Sequence, residues 1–170
     1  MQQALDCVID GRLNVDGYRP SPDDAPYTAD INGGLSVPFG RGSTLSLLVI
    51  IRYQLIDEGG DRDLWTPRTT GYEYAIMDRD EREIIAFHWH PNARSSVPWP
   101  HLHMGTVLLS ATYKGLHKAH IRTEQVALPD VLWFAITELN VPPTRRHVDN
   151  WENVLARTRH DLELLSMPPS

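Results

Sequence analysis

A single cysteine, Cys7, in 170 residues leaves no partner for an internal disulfide. That excludes a disulfide-stapled scaffold and fits a reducing, cytoplasmic setting. Nothing around Cys7 marks it as a nucleophile, and it reads as a small apolar residue. Long apolar runs are missing too: no stretch approaches the roughly twenty apolar residues that a membrane helix needs. The first residues, from Met1 to Asp6, have neither a basic start nor an apolar run, so no secretory signal is expected there. Positive charge is in short supply. A formal net charge of −6 excludes general attraction to nucleic acid, so any such contact must come from a local basic patch. A Gly-rich phosphate loop, a Ser-His-Asp arrangement and a CxxC pair are all absent.

What is present is an ordinary globular composition, with 41% hydrophobic and 22% charged residues, enough for one domain over residues 1–170 with one sizeable core. Residues 1–16 are weakly patterned and compatible with a short strand or helix. Residues 17–44 hold Pro20, Pro22, Pro26, Pro38 and the Gly33-Gly34 pair, and are expected to be a loop-rich covering segment. Residues 45–56 are β-branched and apolar on both faces, as for an interior strand covered on both sides. Residues 72–77 and 83–90 flank the charged run 78–82, which predicts a hairpin with a polar turn. In its second strand Ile85, Phe87 and Trp89 should enter the core, leaving Ala86, His88 and His90 on the other face. Residues 107–112 are expected to add a further strand.

The period then changes. Pro129 suits a helical first turn, and Val131, Leu132, Ala135, Ile136 and Leu139 follow at helical spacing up to Asn140 and Pro142-Pro143. Asp149 and Glu152 resemble a capping box that opens a second helix with an apolar stripe of Trp151, Val154, Leu155, Leu162 and Leu165. Strands first and helices last predict an α+β domain. Its antiparallel sheet would have about four to six strands over residues 45–112, followed by two C-terminal helices over 129–165.

Two His-x-His pairs, His88/His90 and His101/His103, bracket a Pro- and Ser-rich loop. Residues two apart share a face of an extended strand, so each pair offers two imidazoles together. Three readings stand. The four rings can ligate zinc or another divalent transition ion, with a carboxylate such as Glu73 from a neighbouring strand. They can give and take protons without a metal, as self-cleavage of RNA requires. Or they are partly buried and satisfied by backbone carbonyls, with Trp89 and Trp99 filling the core. Lys114, Lys118, His120 and Arg122 form the one local basic run, suited to a phosphate, or else a solvated face. Trp99, between two prolines, suits either core packing or a cover over a ligand. His147 and His160 read as surface residues, and Trp133 and Phe134 as helix packing.

Gly71-Tyr72-Glu73-Tyr74, the hairpin, and the spacing from Phe87 through Pro91 to Trp99-Pro100-His101 resemble the TumE family, the toxin half of bacterial toxin–antitoxin pairs. That family's pattern runs from a Tyr-x-Tyr strand and a turn through Arg-Tyr-Asp-Asn-x-Pro-His-His to an aromatic-Pro-His segment. Phe87 falls on the pattern's Tyr, Pro91 on its Pro, and Trp99, Pro100 and His101 on its closing segment. Ala86 stands at the Arg position, His88 and Trp89 replace Asp-Asn, and Asn92-Ala93 replace the paired histidines. Only His101 therefore transfers as a functional candidate, and the resemblance spans residues 44–103. It implies a toxin role with ribonuclease activity, an RNA substrate and a cognate antitoxin.

The combined expectation is a small cytoplasmic hydrolase acting on a phosphodiester of RNA. His88, His90, His101 and His103 would be its catalytic groups or metal ligands, and Lys114, Lys118, His120, Arg122 and Trp99 would hold substrate. The alternative is a non-catalytic metal- or partner-binding module with a His-x-His site. The oligomeric state is left open, a homodimer included.

Overall fold

Alternation of apolar residues with period two builds the sheet, and the longest strand shows it best. In a computed structural model that describes residues 1–16, 26–40, 42–57, 65–91, 96–109 and 111–166, with side chains at all of these except 111–114 and 165–166, eight strands form one sheet. They are β1 (Leu13–Val15), β2 (Tyr27–Ile31), β3 (Val37–Pro38), β4 (Ser46–Asp57), β5 (Trp65–Met77), β6 (Glu83–Trp89), β7 (His101–Met104) and β8 (Ile121–Arg122). The order is β1-β2-β4-β5-β6-β7-β8, with β3 also paired to β4, and every pairing is antiparallel. Three helices, α1 (Gln2–Leu5), α2 (Leu128–Thr137) and α3 (Trp151–Ser166), complete the α+β fold.

On β4, Leu47, Val49, Ile51 and Tyr53 are buried, while Leu48, Ile50 and Arg52 between them are only half-buried. The strand expected to be covered on both sides thus has one dry face and one partly open face. The dry face continues through Tyr72, Tyr74 and Ile76 of β5 and Phe87 of β6, and with α1, α2 and α3 it forms the core. Phe87 meets Phe134 of α2 edge-on at 6.2 Å, and Tyr72 stacks with Tyr74 at 4.8 Å. The Tyr72 hydroxyl accepts the Val126 N–H at 2.9 Å, which seats the approach to α2. Pro129 lies in the first turn of α2, where a missing N–H costs nothing. Asn140, at φ 53°, turns the chain after that helix. Thr144 then donates both its N–H to the Cys7 carbonyl and its hydroxyl to the Asp6 carbonyl, each at 2.7 Å. Cys7 is fully buried, and burial, aided by the Asp6 charge, pushes its thiol up to about 11. It is chemically inert, as its sequence context suggested.

The structure corrects three expectations. The sheet has more strands than four to six, because β2 and β3 arise inside the segment read as covering loop; of that segment, residues 17–25 and 41 lie outside the described residues. Ala29 and Ile31 on β2 face the core, a period of two too short to stand out among the prolines. Residues 107–109 and 111–112 are not a strand either, and residue 110 lies outside the described residues. Thr106–Leu108 is a 3₁₀ turn and Ala111–Lys118 a longer 3₁₀ run; Val107 and Leu108 are exposed at 39% and 55%. Their apolar, β-branched character misled because Gly105 makes the last backbone bond to β6, Gly105 N–H to Ile84 O at 2.8 Å, and the chain curls away after it.

Gly105 is required there by space. A Cβ at this position would collide with the carbonyl group of Glu83, whereas one at Gly115 would meet nothing within 4 Å. Gly105→Ala should therefore lower unfolding free energy by about 2 kcal/mol or more, measured by urea denaturation. Gly115→Ala serves as the neutral control, and equal stability of the two variants would contradict the close approach.

Candidate functional site

The face opposite the helices carries the histidines, because the strand registers line them up. Across β5, β6, β7 and β8, Glu73 pairs with His88, His88 with His101, and His101 with Arg122. Neighbours in this row are one strand spacing apart, about 4.8 Å. The next row on the same face reads Ala75, Ala86 and His103. Ala75 and Ala86 are buried at 3% and 0% exposure, a small-residue floor that leaves the space above it to rings. In the other direction Arg52 pairs with Gly71, and His90 follows the end of β6.

All four expected histidines gather. His88 lies 5.7 Å from His101, 4.9 Å from His103 and 5.4 Å from His90 between ring centroids, and His101 lies 4.9 Å from His103. A fifth ring joins them. His120, read from sequence as part of a phosphate-holding run, sits 4.5 Å from His103 and 4.9 Å from His101. Of the rest of that run, Lys118 is exposed and the Lys114 side chain lies outside the described residues. Arg122 stands level with His101, its guanidinium carbon 6.0 Å from the centre of the Trp99 ring. Trp99 is 38% exposed and so is not core filling, while Trp89 packs against the core.

Hydrogen bonds fix how these rings present their nitrogens. His101, 3% exposed, has Nδ1 at 2.8 Å from the Trp99 carbonyl. A carbonyl only accepts, so Nδ1 donates to it, and Nε2 is the nitrogen left to face the other rings. His88 Nε2 is buried with no hydrogen-bond partner among the described residues. Burial, and then the neighbouring His103, His90, His101 and His120, pushes the His88 pKa down to about 4. His103 is also lowered, by burial first and then by His101 and His120, against a backbone hydrogen bond to His117 that works the other way. His90 is lowered by burial and then by Arg52, with Glu73 opposing. His88, His90 and His103 are therefore neutral bases at neutral pH.

Neutral imidazoles with converging lone pairs are what a transition-metal ion requires. His88, His101 and His103 each offer a ring nitrogen, and these atoms all lie within 4.8 Å of one another. A tetrahedral zinc ion with bonds of about 2.1 Å holds its ligand nitrogens roughly 3.4 Å apart. Small ring rotations close that gap. The bonds from His101 to Trp99 and from His103 to His117 are the backbone contacts that orient ligating imidazoles in metal sites. Among the described residues no Asp or Glu joins the triad; Glu73, suggested from sequence, neighbours His88 in register without belonging to it.

Two participants escaped the sequence reading. Arg52 is the one charged residue in the interior of the apolar strand β4, and its Nη1 lies 3.3 Å from His90 Nδ1. Gly71 lies level with Arg52, where a Cβ would come within 2.8 Å of the Trp89 carbonyl oxygen. A charge inside an apolar strand and a lone glycine in a neighbouring one were the available signals.

Fold and site together define an antiparallel α+β protein with a histidine cluster on the sheet face away from the helices. Comparison with known proteins gives it no relative: no protein-family model matches the chain, no curated protein matches it and no solved structure matches it.

The lowered histidines make stability depend on pH in a defined direction. A base whose folded pKa lies below its unfolded value leaves stability intact above the unfolded pKa. That stability is lost as the unfolded state takes up protons that the folded state refuses. For His88 the window runs from 6.5 down to about 4. The urea midpoint of chelator-treated protein should fall across this window, and His88→Gln should fall less steeply. Parallel curves for the two proteins would contradict the buried, uncharged state of His88.

Proposed function

We propose that this chain is a hydrolase of phosphodiesters, with RNA as its substrate class, and that its reactive centre is the triad His88, His101 and His103 holding a divalent transition ion of the zinc type. The observation that carries this reading is the convergence of three ring nitrogens within 4.8 Å, on a cluster in which the buried His88 Nε2 has no hydrogen-bond partner among the described residues. Three protein ligands leave a fourth position open, the arrangement of catalytic rather than structural zinc sites. An ion held there lowers the pKa of bound water and neutralises charge that develops on a phosphate.

The surrounding residues suit that chemistry. His120, exposed and in ring contact with His103, is placed to move protons between the centre and solvent. Arg122 and Lys118 supply positive charge at the same edge. Trp99 offers an exposed ring on which an unpaired base can stack. The choice of RNA, the toxin setting, a cognate antitoxin and a cytoplasmic location rest on the TumE resemblance, carried by Phe87, Pro91 and Trp99-Pro100-His101. A second reading, a metal-binding module without turnover, is favoured by one observation: among the described residues no carboxylate accompanies the triad as a general base.

Purified protein should bind one zinc-type ion per chain and cleave single-stranded RNA. Chelation should abolish cleavage and zinc should restore it. His101→Ala should weaken metal binding by more than about 100-fold, beyond the range known for outer-shell partners, and relieve any growth arrest caused by expressing the protein. Metal binding without cleavage would favour the module. Undiminished cleavage in chelator would remove the metal, and unaffected growth on expression would remove the toxin role.

A further inference from the structure

His90 shares a sequence motif with the ligand His88, yet its ring nitrogens are committed differently. Arg52 Nη1 lies 3.3 Å from His90 Nδ1. A guanidinium has only N–H donors and no lone pair to offer, so it donates and Nδ1 accepts. The proton of neutral His90 must then sit on Nε2. That is opposite in role to His88, whose buried Nε2 lacks a partner among the described residues, and His90 is not among the three residues whose ligand atoms converge.

The contact depends on Gly71. Arg52 lies on β4 and His90 just past β6, so β5 runs between them, and the β5 residue level with Arg52 is Gly71. Spanning two strand spacings means reaching about 9.6 Å, and the missing side chain leaves the guanidinium a clear path over the strand. Substitution is blocked by the neighbouring strand, because a Cβ would come within 2.8 Å of the Trp89 carbonyl oxygen. Arg52 forms no salt bridge among the described residues. Glu73 and Arg52 are the charged groups that act on His90 from β5 and β4, and the carboxylate does not take the guanidinium.

A half-buried arginine with most of its donors uncommitted among the described residues, beside an imidazole N–H, is a built receptor for an oxyanion. We infer that Arg52 and His90, over the gap at Gly71, form an anion subsite that holds one phosphate group of the substrate beside the triad. The rings of His90 and His88 are 5.4 Å apart, so the bound phosphate would lie next to the metal position. Arg122, level with His101, lies at the end of the adjacent row that runs through His88 and His101. The identity of the anion as a phosphodiester rests on the proposed function; the capacity to bind an oxyanion does not.

The test is calorimetry with inorganic phosphate and, separately, with zinc, on the full chain. Arg52→Met and His90→Asn should each weaken phosphate binding by about tenfold, the loss expected for one charge-assisted hydrogen bond, while zinc affinity stays within about twofold. His90→Gln, whose amide N–H reaches the place of Nε2–H, should retain most of the phosphate affinity. A merely structural role for His90 predicts no such rescue. The inference is overturned if unsubstituted protein does not bind phosphate, if all variants bind it equally, or if His90→Asn loses zinc together with phosphate, which would make His90 a ligand. Phosphate binding that persists in a protein unable to cleave RNA would sink the hydrolase reading alone.

Discussion

The register between β6 and β7 is the constraint on which the rest depends. With His88 opposite His101 and Ala86 opposite His103, three imidazoles share one face. A slip of one residue would send His101 and His103 into the helix-covered core and leave His88 alone. One local device holds this register, and a second fixes the neighbouring register of β5 with β6. Gly105 lets β7 close against the start of β6, its N–H on the Ile84 carbonyl at 2.8 Å. At the hairpin before β6, the Asp78 carboxylate accepts the N–H groups of Asp80 and Arg82, both at 2.9 Å, and the Arg82 guanidinium. Arg82 in turn holds the Asp78 carboxyl below its ordinary pKa.

The site runs against the preferences of a folded chain, which ordinarily satisfies its buried polar atoms and separates its like-charging groups. Here ring contacts gather five imidazoles, and one buried nitrogen is left without a partner among the described residues. The opposite face compensates. Tyr72, Tyr74, Phe87 and the helices make a continuous apolar core that keeps β5 and β6 in place whatever the histidines do. Local conflict on one face and consistent packing on the other is the pattern expected where function, not stability, selects the residues.

Much of this was legible in the sequence, and the limits have physical causes. Period two in His88/His90 and His101/His103 showed that each pair shares a face, because strand geometry is local. The hairpin over residues 72–90 and the two C-terminal helices were legible for the same reason. That the two pairs meet depends on strand pairing across the loop between them, which no local pattern encodes. His120 looked like one charge in a basic run, since only the return of β8 alongside β7 brings it to the other rings. The strand Tyr27–Ile31 was hidden by flanking prolines, and residues 107–112 imitated a strand in composition although Val107 and Leu108 lie exposed. Arg52 and Gly71 carried signals that make sense only once β4, β5 and β6 are known to be neighbours.

X-ray absorption at the zinc edge of the loaded protein tests the centre most directly, since it reports ligand type and distance without reference to any substrate. Three imidazole nitrogens at about 2.0–2.1 Å, completed by a light-atom ligand and reduced in number by His88→Gln, are the predicted result. A shell dominated by non-imidazole oxygen and unchanged in that variant, or no ion retained at all, would contradict a metal centre built on His88, His101 and His103.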